Sequence, residues 1–161
     1  MEIYLLRHGI AEDAAPGKPD SDRALTGPGR QKLRRVLARA KAAKVEPGLI
    51  LSSPYRRALE TAEVAAESLD YRGKVVPTAA LLPNADPHDT WEEIREHKTE
   101  EAVLLASHEP LMSSFLAFLL STPALMVDFK KGALVRVDCD RFGPEPHATL
   151  KWLLTPATAG E

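Results

Sequence analysis

Three short apolar runs constrain this chain more than any other feature: Ile3-Tyr4-Leu5-Leu6, Leu49-Ile50-Leu51 and Ala102-Val103-Leu104-Leu105-Ala106. None alternates apolar with polar residues. That is the pattern of a strand covered on both faces. Between the runs the period changes. Leu33, Val36, Leu37 and Ala40 recur at helical spacing behind a Thr26 cap, with Pro28 in the first turn and Arg and Lys on the other face. Pro54 opens a second helix striped by Ala58, Ala62, Ala65 and Leu69. A loop and a third helix are expected from Asp86 to about His97, and a fourth helix from Glu109-Pro110 to about Leu120. Pro77 marks residues 74–82 as an edge or irregular strand. Residues 133–138 and 149–154 read as two closing strands around the turn-rich DRFGPEP. Residues 12–25 are polar and hold Pro16, Gly17 and Pro19, so they are expected to form a loop. The alternation predicts a three-layer α/β/α fold with a mostly parallel central sheet and an antiparallel edge strand near the C-terminus.

The length, 161 residues, fits a single domain over residues 1–161. With 21 basic and 23 acidic residues, no surface for nucleic acid is expected. The longest apolar stretch, LMSSFLAFLL, has ten residues, short of the ~20 needed to span a bilayer. The start, MEIYLLRHG, lacks the basic segment of a signal peptide, so no membrane or export role is expected. The lone Cys139 cannot form an internal disulfide, which fits a reducing, cytoplasmic setting. It reads as a buried small side chain. His88, His97 and His147 show no metal-ligand spacing and read as surface residues, while Trp91 and Trp152 read as packing residues.

Each apolar strand ends in a polar cluster. The first ends in Arg7-His8-Gly9. The second ends in Ser52-Ser53-Pro54, with Arg56 and Arg57 in the next helix's first turn. The third ends in Ser107-His108-Glu109. Ligands of open parallel sheets bind outside the carboxyl ends of strands, and neighbouring strands lie ~4.8 Å apart. One pocket with two His and at least two Arg follows if the three ends converge. Guanidinium forks match phosphoryl oxygens. A neutral imidazole can attack phosphorus, and a second imidazole, if protonated, can donate to a phosphoryl oxygen. Taken singly these residues have ordinary readings: a structural strand-end His, a solvated pair of Arg, a helix-start His. Their shared place at strand ends is what points to chemistry.

Together they resemble the histidine phosphatase superfamily, also called the phosphoglycerate mutase-like family. Leu5-Leu6-Arg7-His8-Gly9 resembles its L-x-R-H-G hallmark. Ser53 to Thr61, SPYRRALET, resembles its S-x-x-x-R-A-x-x-T motif, and His108 resembles its later strand-end His. The resemblance implies the phosphoglycerate mutase-like fold and no metal or organic cofactor. It makes His8 the phosphorylated nucleophile, and it has Arg7, Arg57 and His108 hold the phosphoryl group. It selects Arg57 over Arg56 and His8 over His108.

Mutase-like members carry an Asn where this chain has Ala14 and a Glu acid in a segment that here reads LLPNADPHDTW, with no Glu before Glu92. R-H-G-x-A (7–11), D-R-x-L-T-x-x-G (22–29), L-x-P-x-A-D (81–86) and K-G-A-L (131–134) instead resemble the SixA-type phosphohistidine phosphatases. That resemblance implies a phosphorylated protein as partner, a His-containing phosphotransfer domain. An ester needs an acid to protonate its leaving alkoxide, whereas a protonated imidazole leaves readily. Asp86, Asp89 and Glu12 are the candidate acids, each with an alternative reading as a loop or helix-start residue. Arg23 either reaches the anion pocket or pairs at the surface with Asp20 or Asp22. Glu109 either orients His108 or favours a helix N-terminus. Two other functions stay open at this point: a small-molecule phosphomonoesterase of the same superfamily that uses one of these acids, and a phosphohistidine-binding adaptor with little turnover.

Overall fold

The computed structural model describes residues 1–160. Its six strands are β1 (Glu2–Arg7), β2 (Leu49–Ser52), β3 (Val75–Pro77), β4 (Ala102–Ser107), β5 (Leu134–Cys139) and β6 (Ala148–Leu154). They form one sheet in the order β3-β2-β4-β1-β5-β6. Every pairing among β1 to β4 is parallel, while β5 runs against β1 and β6 runs against β5. The antiparallel part is therefore a two-strand unit at one side of the sheet, with β6 outermost. For β5 and β6, and for the parallel pairs, the physical reason is the connection. A short turn can join only antiparallel neighbours, whereas parallel strands need a helical crossover.

Those crossovers are α1 (Gly27–Ala42), α2 (Arg56–Ser68) and α3 (Pro87–Glu96); α4 (Leu111–Leu119) and α5 (Pro156–Ala159) follow. Ile3 and Leu5 of β1, Leu51 of β2 and Leu105 of β4 pack with Trp91 and Ile94 of α3 and with Met112, Phe115 and Leu116 of α4. Tyr4, Leu6, Ile50, Leu104 and Ala106 point the other way, towards Leu33, Val36, Leu37 and Ala40 of α1 and Ala62 and Ala65 of α2. Successive strand residues thus serve opposite layers, which is why the runs show no polar alternation.

Some details differ from expectation. The run over 74–82 yields a strand only at Val75–Pro77, on the sheet edge, and then a 3-10 turn at Ala79–Leu81. The fourth helix starts at Leu111, with Pro110 as its N-cap. The short α5, closed by a Thr155–Thr158 capping box, was not anticipated. Among the described residues no helix is long and apolar enough to cross a membrane.

The start of α1 is pressed against the backbone that follows His8. Thr26 N donates to Ile10 O at 2.9 Å, and Thr26 Oγ1 caps Gly29 N at 3.0 Å. A Cβ on Gly29 would lie 2.3 Å from Ile10 O, so only glycine fits. Gly29→Ala is expected to destabilise the fold by about 1–3 kcal/mol, seen as a lower urea midpoint at unchanged slope.

Candidate active site

The sheet order seats β4 between β1 and β2, with Arg7 opposite Ser107 and Ser52 opposite Ala106. Backbone bonds continue one residue past β1 and β2: His8 N donates to Ser107 O and Ser53 N donates to Ala106 O, both at 2.9 Å. The three polar strand ends therefore stand side by side. His8, Arg57 and His108 are 6%, 5% and 1% exposed.

Helix phase explains which arginine joins them. Arg57 and Thr61 are four residues apart and share the buried face of α2. Thr61 Oγ1 donates to Arg57 O at 2.7 Å and accepts from Gly9 N at 3.2 Å, tying the turn after His8 to this helix. Ala58, fully buried, allows the close packing. Arg56 lies on the exposed side, 3.7 Å from Glu60.

Around His8 the hydrogen bonds define the proton. Its Nδ1–H donates to Gly9 O at 2.8 Å, and Arg57 Nε donates to its Nε2 at 3.3 Å. The lone pair is therefore on Nε2. Burial above all pushes the His8 pKa down to about 4; the Gly9 carbonyl opposes that shift, and the charges of Arg57, Arg7 and Lys131 add to it. Burial likewise pushes His108 down to about 3, assisted by His8, Arg57 and Arg7 and opposed by Asp20. Both rings are therefore neutral near neutral pH. The rings meet edge-on, 5.1 Å between centroids. His108 Nε2 lies 2.7 Å from Ser53 Oγ.

The guanidiniums are held from behind. Arg7 Nη1 donates to Phe129 O at 2.7 Å, while its buried Nε has no partner. Burial lowers the Arg7 pKa, and Glu109 and Asp128 counter that. Arg57 donates through Nη1 to Asp20 O at 2.8 Å and through Nη2 to Asp20 Oδ2 at 3.1 Å. Its guanidinium carbon is 5.2 Å from the Tyr55 ring centroid.

The remaining candidates lie elsewhere. Arg23 Nε pairs with Asp20 Oδ1 at 2.8 Å and its Nη1 donates to Glu12 O, so it meets Arg57 only through the shared carboxylate. Glu12 is exposed, and hydrogen bonds from Lys18 and Ala24 N hold its carboxyl below the usual range. Asp86 caps α3 by accepting from His88 N at 2.9 Å, and Asp89 is exposed in the first turn of that helix. Glu109 accepts from Ser113 N at 2.7 Å, which is a helix-start role. Among the described residues no cluster of His, Cys, Asp or Glu has the makings of a metal site. The clamp of Asp20 on Arg57 and the Ser53–His108 contact went unforeseen. Ser53 stands in a recognisable motif, but Asp20 sits in a polar loop with no local signal of where it folds back.

The model of the histidine phosphatase superfamily (branch 1) matches residues 3–81. An uncharacterized protein of Picosynechococcus sp. is 34% identical over 111 residues, covering 68% of this chain and 67% of that one. The chain belongs to the histidine phosphatase superfamily. Within it, the chain is 29% identical to the phosphohistidine phosphatase SixA of Escherichia coli (strain K12), covering 97% of this chain and 94% of that one. The structure of the protein histidine phosphatase SixA complexed with tungstate superposes with a TM-score of 0.86 at 28% identity, over 98% of both chains. The superfamily-like motifs of this chain are the segments that β1, α2 and β4 bring to one place.

The two neutral histidines make stability depend on pH. Their folded pKa values lie below the ordinary 6.5, so the unfolded chain takes up protons first. Their contribution is complete above about pH 6.5 and falls as pH drops towards about 4. Urea midpoints measured from pH 7 to 4.5 should therefore fall more steeply in wild type than in a His8→Asn/His108→Asn double variant. Carboxylate effects are common to both proteins and cancel in the comparison.

Proposed function

We propose that this protein hydrolyses protein phosphohistidine by taking the phosphoryl group onto His8 Nε2. The observation that carries this is the hydrogen-bonded state of His8: Nδ1–H is committed to Gly9 O, and the Nε2 lone pair lies beside Arg57 Nε. A ring with a pKa of about 4 keeps that lone pair at neutral pH. It attacks phosphorus while the substrate's P–N bond breaks. The electron pair goes to the substrate ring, already protonated on its other nitrogen, which leaves as neutral imidazole. Water then attacks phospho-His8, the P–N electron pair returns to Nε2, and inorganic phosphate departs. Arg7 and Arg57 offset the phosphoryl charge, and His108 adds a hydrogen bond.

The leaving group fits what surrounds the site. Glu12 is kept ionised, and Asp86 is engaged in capping α3. Neither is free to protonate an alkoxide, and a protonated imidazole needs no such donor. The phosphohistidine phosphatase activity in the name of the Escherichia coli relative supports the same substrate. We infer that the partner is a His-containing phosphotransfer domain. A cytosolic setting goes with it, and the single free thiol of Cys139 fits that setting.

Wild type should release phosphate rapidly from a phosphohistidine-bearing phosphotransfer domain and slowly from p-nitrophenyl phosphate. His8→Ala should lose roughly 10³-fold or more on both while keeping its circular dichroism spectrum. Full activity in that variant would end the His8 mechanism. Efficient ester hydrolysis with little release from phosphohistidine would end the substrate assignment.

A further inference from the structure

Two buried side-chain nitrogens among the described residues have no hydrogen-bond partner, Arg7 Nε and His108 Nδ1. Both belong to the candidate site. An unpaired buried polar group costs ~1–3 kcal/mol, so each calls for a physical account. For Arg7 Nε the account is plain, because a guanidinium N–H is always a donor and an anion can meet it. For His108 the answer depends on which ring nitrogen carries the single proton of the neutral ring.

Ser53 settles that question. It is fully buried, and its Oγ has two polar neighbours. Tyr55 N donates to it at 3.2 Å, and His108 Nε2 lies 2.7 Å away. A hydroxyl has one hydrogen and two lone pairs. The Tyr55 N–H takes a lone pair. The hydroxyl hydrogen then has one acceptor in reach, Nε2. If Nε2 carried the proton instead, the Ser53 hydrogen would be stranded in the interior and Nδ1 would be an unpaired acceptor beside two arginines. A doubly protonated ring would strand the same hydrogen and bury a third cation; the pKa of about 3 agrees that it does not form.

We propose that Ser53 donates to His108 Nε2 and so holds the ring in its Nδ1–H form, presenting Nδ1–H as a fixed neutral donor to a phosphoryl oxygen. This rests on the phosphoryl site proposed above. Ser53 is then a positioning residue, acting through His108. The two histidines share one tautomer with opposite edges committed. In His8 the Gly9 carbonyl takes Nδ1–H and leaves the lone pair on Nε2, where Arg57 Nε donates to it, whereas in His108 the Ser53 hydroxyl takes the lone pair and leaves Nδ1–H free. One backbone or hydroxyl neighbour apiece thus makes one ring a nucleophile and the other a donor.

Long-range ¹H–¹⁵N correlation spectra at neutral pH test this, with His108 assigned by the signals lost in His108→Gln. The expected wild-type spectrum has the proton on Nδ1 and a bare Nε2, and added tungstate shifts Nδ1 and its proton. Ser53→Ala should move the proton partly to Nε2, weaken tungstate binding and lower phosphate release by roughly 10²-fold, the scale for losing one such donor. Ser53→Thr, which keeps the hydroxyl, should restore the wild-type spectrum. A wild-type proton on Nε2 overturns the proposal, as does a Ser53→Ala protein with unchanged spectrum and tungstate affinity. If Ser53→Ala does not fold, the wild-type spectra with and without tungstate decide the matter. Tautomer and tungstate binding are read without turnover. Failure of the phosphohistidine assignment would instead appear as absent phosphate release by wild type.

Discussion

The hydrogen bonds that seat β4 between β1 and β2 are the contact on which the rest of this protein depends. They carry His8 and Ser53 to the same level as Ser107 and His108. The parallel pairing has a second consequence. Parallel strands cannot be joined by a turn, so a helix must follow β2 and return over the sheet. That helix, α2, begins at the carboxyl edge and delivers Arg57 in its first turn. The topology that buries the apolar strands on both faces is therefore also what gathers the polar ends.

The gathering is energetically awkward. The Arg57 guanidinium and two imidazoles are buried together, with Arg7 part-buried and its charge felt by both rings, and buried charge is costly unless paired. The protein resolves this in two ways. Both imidazoles stay neutral, since burial and the neighbouring cations oppose a further proton. Arg57 receives a counter-charge from Asp20, whose carboxylate is more than half exposed and shared with Arg23. Arg7 is part-buried and feels the carboxylates of Glu109 and Asp128.

The layers were legible because both faces of a buried strand demand apolar residues, as do the stripes of α1 and α2. Leu33, Val36, Leu37 and Ala40 are all buried as their spacing predicts. Arg7 and His8 were legible because they end an apolar run. The loop over 12–25 was not. It closes through an isolated bridge between Ala11 and Leu25 and a 3-10 turn at Asp20–Asp22, contacts that leave no period in the sequence. Hence Asp20 was visible only as a neighbour of Arg23, although its main partners include Arg57.

By itself, then, the sequence determined the main strands and helices, the apolar faces and the polar strand ends, because these follow from periodicity and from the need to bury both faces of a sheet. It also offered Arg56 and Arg57 on equal terms until a family motif chose between them. Only the tertiary structure decided the order of the strands, the phase that buries Arg57 and exposes Arg56, and the clamp of Asp20. It alone decided the charge and proton position of each histidine. Those depend on burial and on single hydrogen bonds between residues distant in the chain, such as His108 to Ser53 across 55 positions. Contacts of that kind are set by packing in three dimensions, and no local pattern of residues encodes them.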